Sequence, residues 1–509
     1  MKVNQLKAGA LLSYASIFIT IIIGLLYTPI MLRLLGQSEY GLYSLIGATV
    51  GYLSILDLGL GNAIVRYTAR NRALGDKDAE SNLNGMFLVL YSLIGLLTVI
   101  LGAVLYFNID KMFGATLSVA ELEKAKIMMM LLIFNFAVSF PLGVFGSIMY
   151  AHERFIFARV VAMIRSLLNP CIILPLLFLG YGSIAMVVVN TVLNIGCLLI
   201  NLVYCFRILK IKLHFKKFDP ILLKEVGGYS FFIFLNIVVD KVLWTSDQFI
   251  LGMVSGTVLV AIFAVAMQLN TMYIMFSTSV SSVLLPKITM MVANDASKDE
   301  LSQIMIRIGR MQYVVMAFIV SGFALFGQAF ITLWAGANYS SAYYIVLLVM
   351  IPVTIPLIQN VGIAILQAQN RNAFRSFVYL GLAVLNIVAS IPLARMWGGI
   401  GCAIATGVSL IIGNVIIMNL YYHRRIGLNM SLFWKNIAKV TRPVLVALLV
   451  GYGINVLISQ NSVVLLASKI VLFSIVYIGL MWLVGLNRYE KNLFSSPVKR
   501  FLNKRASLQ

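Results

Sequence analysis

The chain has 509 residues, of which 61% are hydrophobic and only 11% charged, and its formal net charge is +22. Soluble domains carry roughly 45–50% apolar and about 25% charged residues, so these proportions exclude a soluble globular protein. The excess of basic residues, which in a soluble chain would suggest a nucleic-acid partner, has to be read through its distribution.

A hydrocarbon layer needs about 20 mostly apolar residues per helical crossing. Runs of that length predict an all-α polytopic membrane protein of about fourteen transmembrane helices. The first seven lie at roughly 11–32, 41–63, 83–106, 127–149, 160–179, 183–206 and 229–252. The second seven lie at roughly 258–284, 311–331, 342–366, 377–395, 400–421, 443–459 and 464–485. The apolar run after Met1–Lys7 is too long for a signal-peptide core, and the reading keeps it as the first span. Alternate loops, from Lys2 and Lys7 through Arg66–Lys77, Arg207–Lys224 and Arg424–Arg442 to Arg488–Arg505, hold about 31 of the 39 basic residues. The opposite side holds Arg33, Lys111, Lys124 and Lys126. This is the positive-inside pattern; it predicts cytoplasmic termini and accounts for the charge without nucleic acid.

Polar residues within the spans are candidates for function, because a charge at bilayer depth costs about 2.5–3.5 kcal/mol. Span two ends in Leu56-Asp57-Leu58-Gly59-Leu60-Gly61 and runs on to Arg66. Asp57 and Arg66 there are candidates for ion coupling or gating, or for a packing crossover in which the glycines let helices approach. Arg165 in span five is placed to face a vestibule or to snorkel. Span seven is the densest case, with Asn236, Asp240, Lys241, Trp244, Asp247 and Gln248. Four of these, Asn236, Asp240, Trp244 and Asp247, fall within an arc of roughly 80° on a helix. Two readings stand: an Asp240–Lys241 pair that locks packing, or a cavity-lining face. On the second, Lys241, Arg165, Asn236, Trp244 and Gln248 bind substrate, while Asp240 and Asp247 change protonation or bind a cation. Arg395 and Lys469 are expected to snorkel or pair locally, and prolines within spans, including Pro29, Pro141, Pro175, Pro286, Pro352, Pro356 and Pro392, to mark bends.

Residues 151–207 match residues 368–424 without a gap, pairing Arg154 with Arg371, Phe157 with Phe374, Asn169 with Asn386, Pro175 with Pro392, Gly182 with Gly399, Tyr204 with Tyr421 and Arg207 with Arg424. Spans five and six thus repeat as eleven and twelve. The even separation predicts two lobes of the same sense, 1–222 and 223–440, around a central cavity, with two further helices and a basic tail in 441–509. The four cysteines lack metal-ligand spacing and read as packing thiols, and His152, His214 and His423 as solvated loop residues. Neither a phosphate loop nor a nucleophile elbow is present, so the chain reads as a transporter without catalysis and without a cofactor.

Several strings together resemble the multidrug/oligosaccharidyl-lipid/polysaccharide exporter superfamily, and within it the bacterial polysaccharide flippases. They are Arg33-Leu34-Leu35-Gly36 through Glu39-Tyr40-Gly41-Leu42-Tyr43, Leu56 to Arg66, Asp240 to Asp247, Leu333-Trp334-Ala335-Gly336, and Gln367-Ala368-Gln369-Asn370-Arg371. The resemblance implies a V-shaped pair of helical bundles in the bacterial cytoplasmic membrane. It implies transport of undecaprenyl-pyrophosphate-linked oligosaccharide for O-antigen, capsule or exopolysaccharide, with polysaccharide polymerase and chain-length machinery as candidate partners. Without an ATP-binding motif, the energy has to come from an ion gradient, with proton or sodium the candidates, from membrane potential, from the substrate gradient or from a partner. The alternatives are a cation-coupled multidrug antiporter, in which cavity acids matter more than Lys241, a membrane-embedded glycan polymerase or ligase, and a structural scaffold of an export complex. The longest outer loop, about Asn108 to Lys126, is short for the enzyme.

Overall fold

The computed structural model describes residues 5–215, 220–369, 371–458, 462–492 and 495, with the side chains of 5–11, 232 and 279–287 outside that description. The expectations for Lys2, Lys7, Pro286, Asn370 and the tail residues Lys499, Arg500, Lys504 and Arg505 fall outside the residues or side chains described.

Every regular element among the described residues is helical. In order they are α1 (Gln5–Gly51), a 3-10 turn (Tyr52–Asp57), α2 (Leu60–Leu74), α3 (Lys77–Phe113), α4 (Val119–Ala151), α5 (Phe155–Phe178), α6 (Ser183–Arg207), α7 (Pro220–Ser255) and α8 (Thr257–Ala293). There follow α9 (Lys298–Trp334), a 3-10 turn (Ala337–Tyr339), α10 (Ala342–Ile358), α11 (Asn360–Ala368) and α12 (Asn372–Leu410). From α12 the chain runs through a π segment (Ile411–Met418), the short α13 (Asn419–Tyr421) and a second π segment (Tyr422–Ile426) to α14 (Met430–Leu457) and α15 (Val463–Leu480). In lipid a backbone must satisfy its hydrogen bonds within the segment, which is why an apolar chain of this kind is helical throughout.

Eleven of these helices are long and apolar enough to cross a membrane, or twelve if α10 and α11, bent by 45° at Gln359, count as one crossing. Two of the apolar runs, Leu12–Ala73 with 62 residues and Asn372–Ile426 with 55, each cover two of the predicted spans, so the number is compatible with fourteen. The breaks within α1 and α12 fall at Gly36 (φ 77°) and Gly398 (φ 55°), not at Pro29 and Pro392. Proline costs a helix one hydrogen bond, which a neighbour can restore, whereas a positive φ ends the helical path.

The chain packs as two compact units, residues 1–265 with 379–405, and residues 266–378 with 406–509. In the first, Ile64, Phe87, Tyr91, Phe145 and Ile148 form a core joining α2, α3 and α4. In the second, Phe326, Val440, Ala447, Phe473 and Tyr477 join α9, α14 and α15. Helix starts are fixed by capping boxes: Ser118 with Glu121 opens α4, and Ser297 with Glu300 opens α9. The matched segments carry the same aromatic contact, Phe157 stacked on Tyr204 and Phe374 on Tyr421, each with ring centroids 4.0 Å apart.

Within the first unit, α1 passes so close to the start of α8 that a Cβ on Gly41 would overlap the Thr257 carbonyl, whereas nothing stands within 4 Å of a Cβ on Gly47. Gly41→Ala is therefore expected to destabilise the folded protein by about 1–3 kcal/mol. Gly47→Ala should be neutral or gain up to about 1 kcal/mol of helix propensity. Thermal melts of the two purified variants in one detergent check the contrast.

Candidate functional site

In the first unit, three helices bring polar side chains to one cavity of about 520 Å³, whose lining includes Tyr27 of α1, Arg165 and Asn169 of α5, and Asn190, Asn194 and Asn201 of α6. On α6 these three asparagines fall within about 40° of one another around the helix, so a single face carries them. Arg165 and Asn169 stand one turn apart on α5 for the same reason. The guanidinium Nη1 of Arg165 donates to Asn194 Oδ1 (2.8 Å). Asn194 in turn donates to Asn135 Oδ1 (2.9 Å) and Ser139 Oγ (2.7 Å) on α4. Asn169 donates to Asn190 Oδ1 (2.5 Å), and Asn190 to the Tyr43 hydroxyl (3.2 Å). Among the described residues no carboxylate lines the cavity. The matched segment keeps only one member of this set, Asn386 for Asn169, because Leu382, Gly407 and Ile411 stand where Arg165, Asn190 and Asn194 do.

The polar residues of α7 separate into distinct environments. Lys241 is half-buried, and its Nζ lies 3.2 Å from the Cβ position of Gly51. It makes no ion pair with Asp240, nor with any other carboxylate among the described residues. Asp240 is exposed, while Asn236 and Gln248 are half-buried. Trp244, together with Val242, Tyr379 and Leu380, packs against a small core of Val239, Leu243 and Ala383, the last of these from α12. Lys241 does not line the Arg165 cavity.

Asp247 is 2% exposed and forms a buried polar cluster with α12. Ser390 Oγ donates to Asp247 Oδ1 (2.7 Å) and lies 3.2 Å from Asn386 Oδ1, with Cys402 beside Ser390. A carboxylate, a hydroxyl and a carboxamide oxygen form a hard, all-oxygen donor set, suited to a small cation such as sodium or to a proton on the carboxylate. Asp57 accepts from the Tyr91 hydroxyl (2.7 Å), and the Arg66 guanidinium lies over the Tyr229 ring of α7 at 4.6 Å.

A family described as "Polysaccharide biosynthesis protein" matches residues 6–292, more than half of the chain. The chain belongs to this family. Among solved structures, this polysaccharide biosynthesis protein is similar to "Lipid II flippase MurJ, inward closed conformation", at 17% identity and a TM-score of 0.72, covering 96% of this chain and 99% of that one. It is similar also to an inward-facing multidrug resistance MATE transporter of the MOP superfamily (16% identity, TM-score 0.59, 77% and 96% covered). A mutant of the Vibrio cholerae MATE transporter VcmN matches at 15% identity and a TM-score of 0.58, with 84% and 98% covered. A search of curated proteins finds no match. At these identities the likeness establishes the fold alone, one shared by a lipid II flippase and by MATE transporters.

Some polar residues of this family member stand where charge and spacing alone did not place them. His152, expected to be solvated, is largely buried, and its Nε2 lies 2.9 Å from Glu80 Oε1. Burial, together with Arg72 and Arg154, pushes its pKa below the ordinary histidine value in spite of Glu80. Lys469 is buried and donates to Asn455 Oδ1 (3.1 Å), the local pairing expected of it. The carboxamide set of Asn135, Asn190, Asn194 and Asn201 was not singled out by charge, although the one-faced spacing on α6 was there to be read. Ser390 was equally silent, being one serine in an apolar helix until Asp247 is placed against it.

Proposed function

We propose that this protein is a flippase moving undecaprenyl-pyrophosphate-linked oligosaccharide repeat units across the bacterial cytoplasmic membrane by alternating access, for O-antigen, capsule or exopolysaccharide synthesis. The observation that carries this reading is the pair of membrane-helix cations, Arg165 and Lys241, neither with a carboxylate partner among the described residues. An uncompensated cation at bilayer depth costs about 2.5–3.5 kcal/mol, and an anionic head group offsets that cost. The lipid-linked sugar has a head too polar for hydrocarbon and a tail too apolar for water; sheltering one while leaving the other in lipid solves both. Family membership in polysaccharide biosynthesis supports the substrate class. The positive-inside pattern supports cytoplasmic termini, and polysaccharide polymerase and chain-length machinery are the partners expected to receive the product.

Asp247 with Ser390 and Asn386 supports cation coupling, by sodium or protons. The same cluster favours the second reading, a cation-coupled antiporter of organic cations, and movement of the lipid-linked substrate discriminates between the two. In proteoliposomes carrying fluorescent undecaprenyl-pyrophosphate oligosaccharide, Lys241→Ala is expected to slow transbilayer movement about tenfold or more, the loss of one charge-assisted contact of about 1.5–3 kcal/mol. Movement at the wild-type rate in a folded Lys241→Ala protein would remove Lys241 from the substrate site, and no movement by folded wild type would transfer support to the antiporter.

A further inference from the structure

We infer that the α1–α5–α6 cavity is a saccharide subsite, and that Arg165 selects repeat units bearing a sugar carboxylate. The inference rests on the flippase reading and deepens it. A phosphate offers a site acceptors only, when fully ionised. The lining of this cavity is rich in asparagine carboxamides, each of which both donates and accepts, as sugar hydroxyls do. Two of its polar atoms, Asn201 Oδ1 and the Tyr27 hydroxyl oxygen, are buried without a hydrogen-bond partner. Asn201 Oδ1 is an acceptor, so it calls for a donor; a hydroxyl supplies one and an ionised phosphate does not. The volume, about 520 Å³, lies within the range of about 300–1,000 Å³ usual for small-molecule sites.

Charge sets the second half of the inference. Arg165 has five N–H donors, and the bond to the neutral Asn194 carboxamide uses one of them. The remaining fork matches a planar carboxylate in bidentate fashion. Among the described residues the cavity has one positive charge and no acid, so a single carboxylate leaves it neutral, whereas a pyrophosphate would bring surplus negative charge into a lining of carboxamides and apolar side chains. Leu382, Gly407 and Ile411 at the matched positions confine this chemistry to the first copy of the repeat.

The test compares two lipid-linked substrates in proteoliposomes of the full chain. One is an undecaprenyl-pyrophosphate oligosaccharide with a single uronic acid, and the other is the same molecule with that carboxyl reduced to a primary alcohol. Both carry the pyrophosphate, so its contribution cancels in the ratio of their rates. The wild type is expected to move the acidic substrate about tenfold faster at subsaturating concentration, Arg165→Gln to bring the ratio to about one, and Arg165→Lys to hold an intermediate ratio. Equal wild-type rates overturn the inference and leave the flippase reading standing, and they do so without relying on the fold of any variant. A ratio unchanged in Arg165→Gln while both rates fall assigns Arg165 to the pyrophosphate and overturns it too. Movement of neither substrate by folded wild type overturns the flippase reading itself.

Discussion

Arg310→Ala is expected to destabilise the protein by about 3–5 kcal/mol, among the largest losses available to a single substitution outside the transport site. The guanidinium holds three parts of the second unit together. Its Nε and Nη2 donate to the two carboxylate oxygens of Glu490 (2.7 and 3.0 Å), Nη1 to the Asn436 carbonyl (3.0 Å) and Nη2 also to the Gly485 carbonyl (3.1 Å). One residue of α9 thereby ties α14 and the segment after α15, which runs from the π-helical Met481–Gly485 to the helical stretch holding Glu490, to its own helix. Glu490 is completely buried, and its second oxygen also accepts from the Asn487 amide (2.8 Å). Removing Arg310 leaves a buried carboxylate with no countercharge, and the penalty is that of an orphaned ion more than of a lost bond. The double substitution Arg310→Met with Glu490→Met should recover most of the loss, because an apolar pair has no charge to strand. Unfolding in detergent, followed by tryptophan fluorescence for both variants, decides it. Equal stability of Arg310→Ala and wild type would mean that the pair contributes nothing.

Arg310 also marks how far the sequence could be read. Counting charges by loop treats Arg310 and Arg488–Arg505 as one more basic side of a positive-inside pattern, which suits topology and says nothing of a partner. The salt bridge joins residues 180 positions apart, and no local period announces it. The helical class was legible because apolar runs of membrane length leave the backbone no other choice. The internal match was legible through Arg, Asn, Pro, Gly and Tyr, and the two stacked pairs Phe157–Tyr204 and Phe374–Tyr421 give it a physical basis: each closes a helix hairpin at the same point. Helix periodicity brought Asp240 and Asp247 onto one arc, yet the structure exposes the first and buries the second against Ser390. An arc on a helix specifies direction, and the environment met in that direction belongs to the neighbouring helices. The breaks at Gly36 and Gly398 illustrate the converse. Proline is conspicuous in a sequence, but the residue that adopts a positive φ decides where the chain turns.

Asp247→Asn is expected to abolish the response of transport to the coupling cation. The substitution is close to isosteric, and its remaining carboxamide oxygen can still accept from Ser390, so the packing of α7 on α12 should survive while the negative charge is lost. A carboxylate can hold a cation or exchange a proton, and a carboxamide does neither with comparable strength. Ser390→Ala removes one oxygen and keeps the charge. Hydrogen bonds to charged groups contribute about 1.5–3 kcal/mol, so if the cluster holds the cation, the concentration for half-maximal transport should rise about 10- to 100-fold in that variant. Initial rates in proteoliposomes, with sodium gradients imposed at constant pH and pH gradients at constant sodium, separate the two ions. Wild type should respond to one gradient, Ser390→Ala to the same gradient at higher concentration, and Asp247→Asn to neither. If Asp247→Asn retained the wild-type response, the cluster would be a packing lock between α7 and α12, and the coupling would have to reside elsewhere.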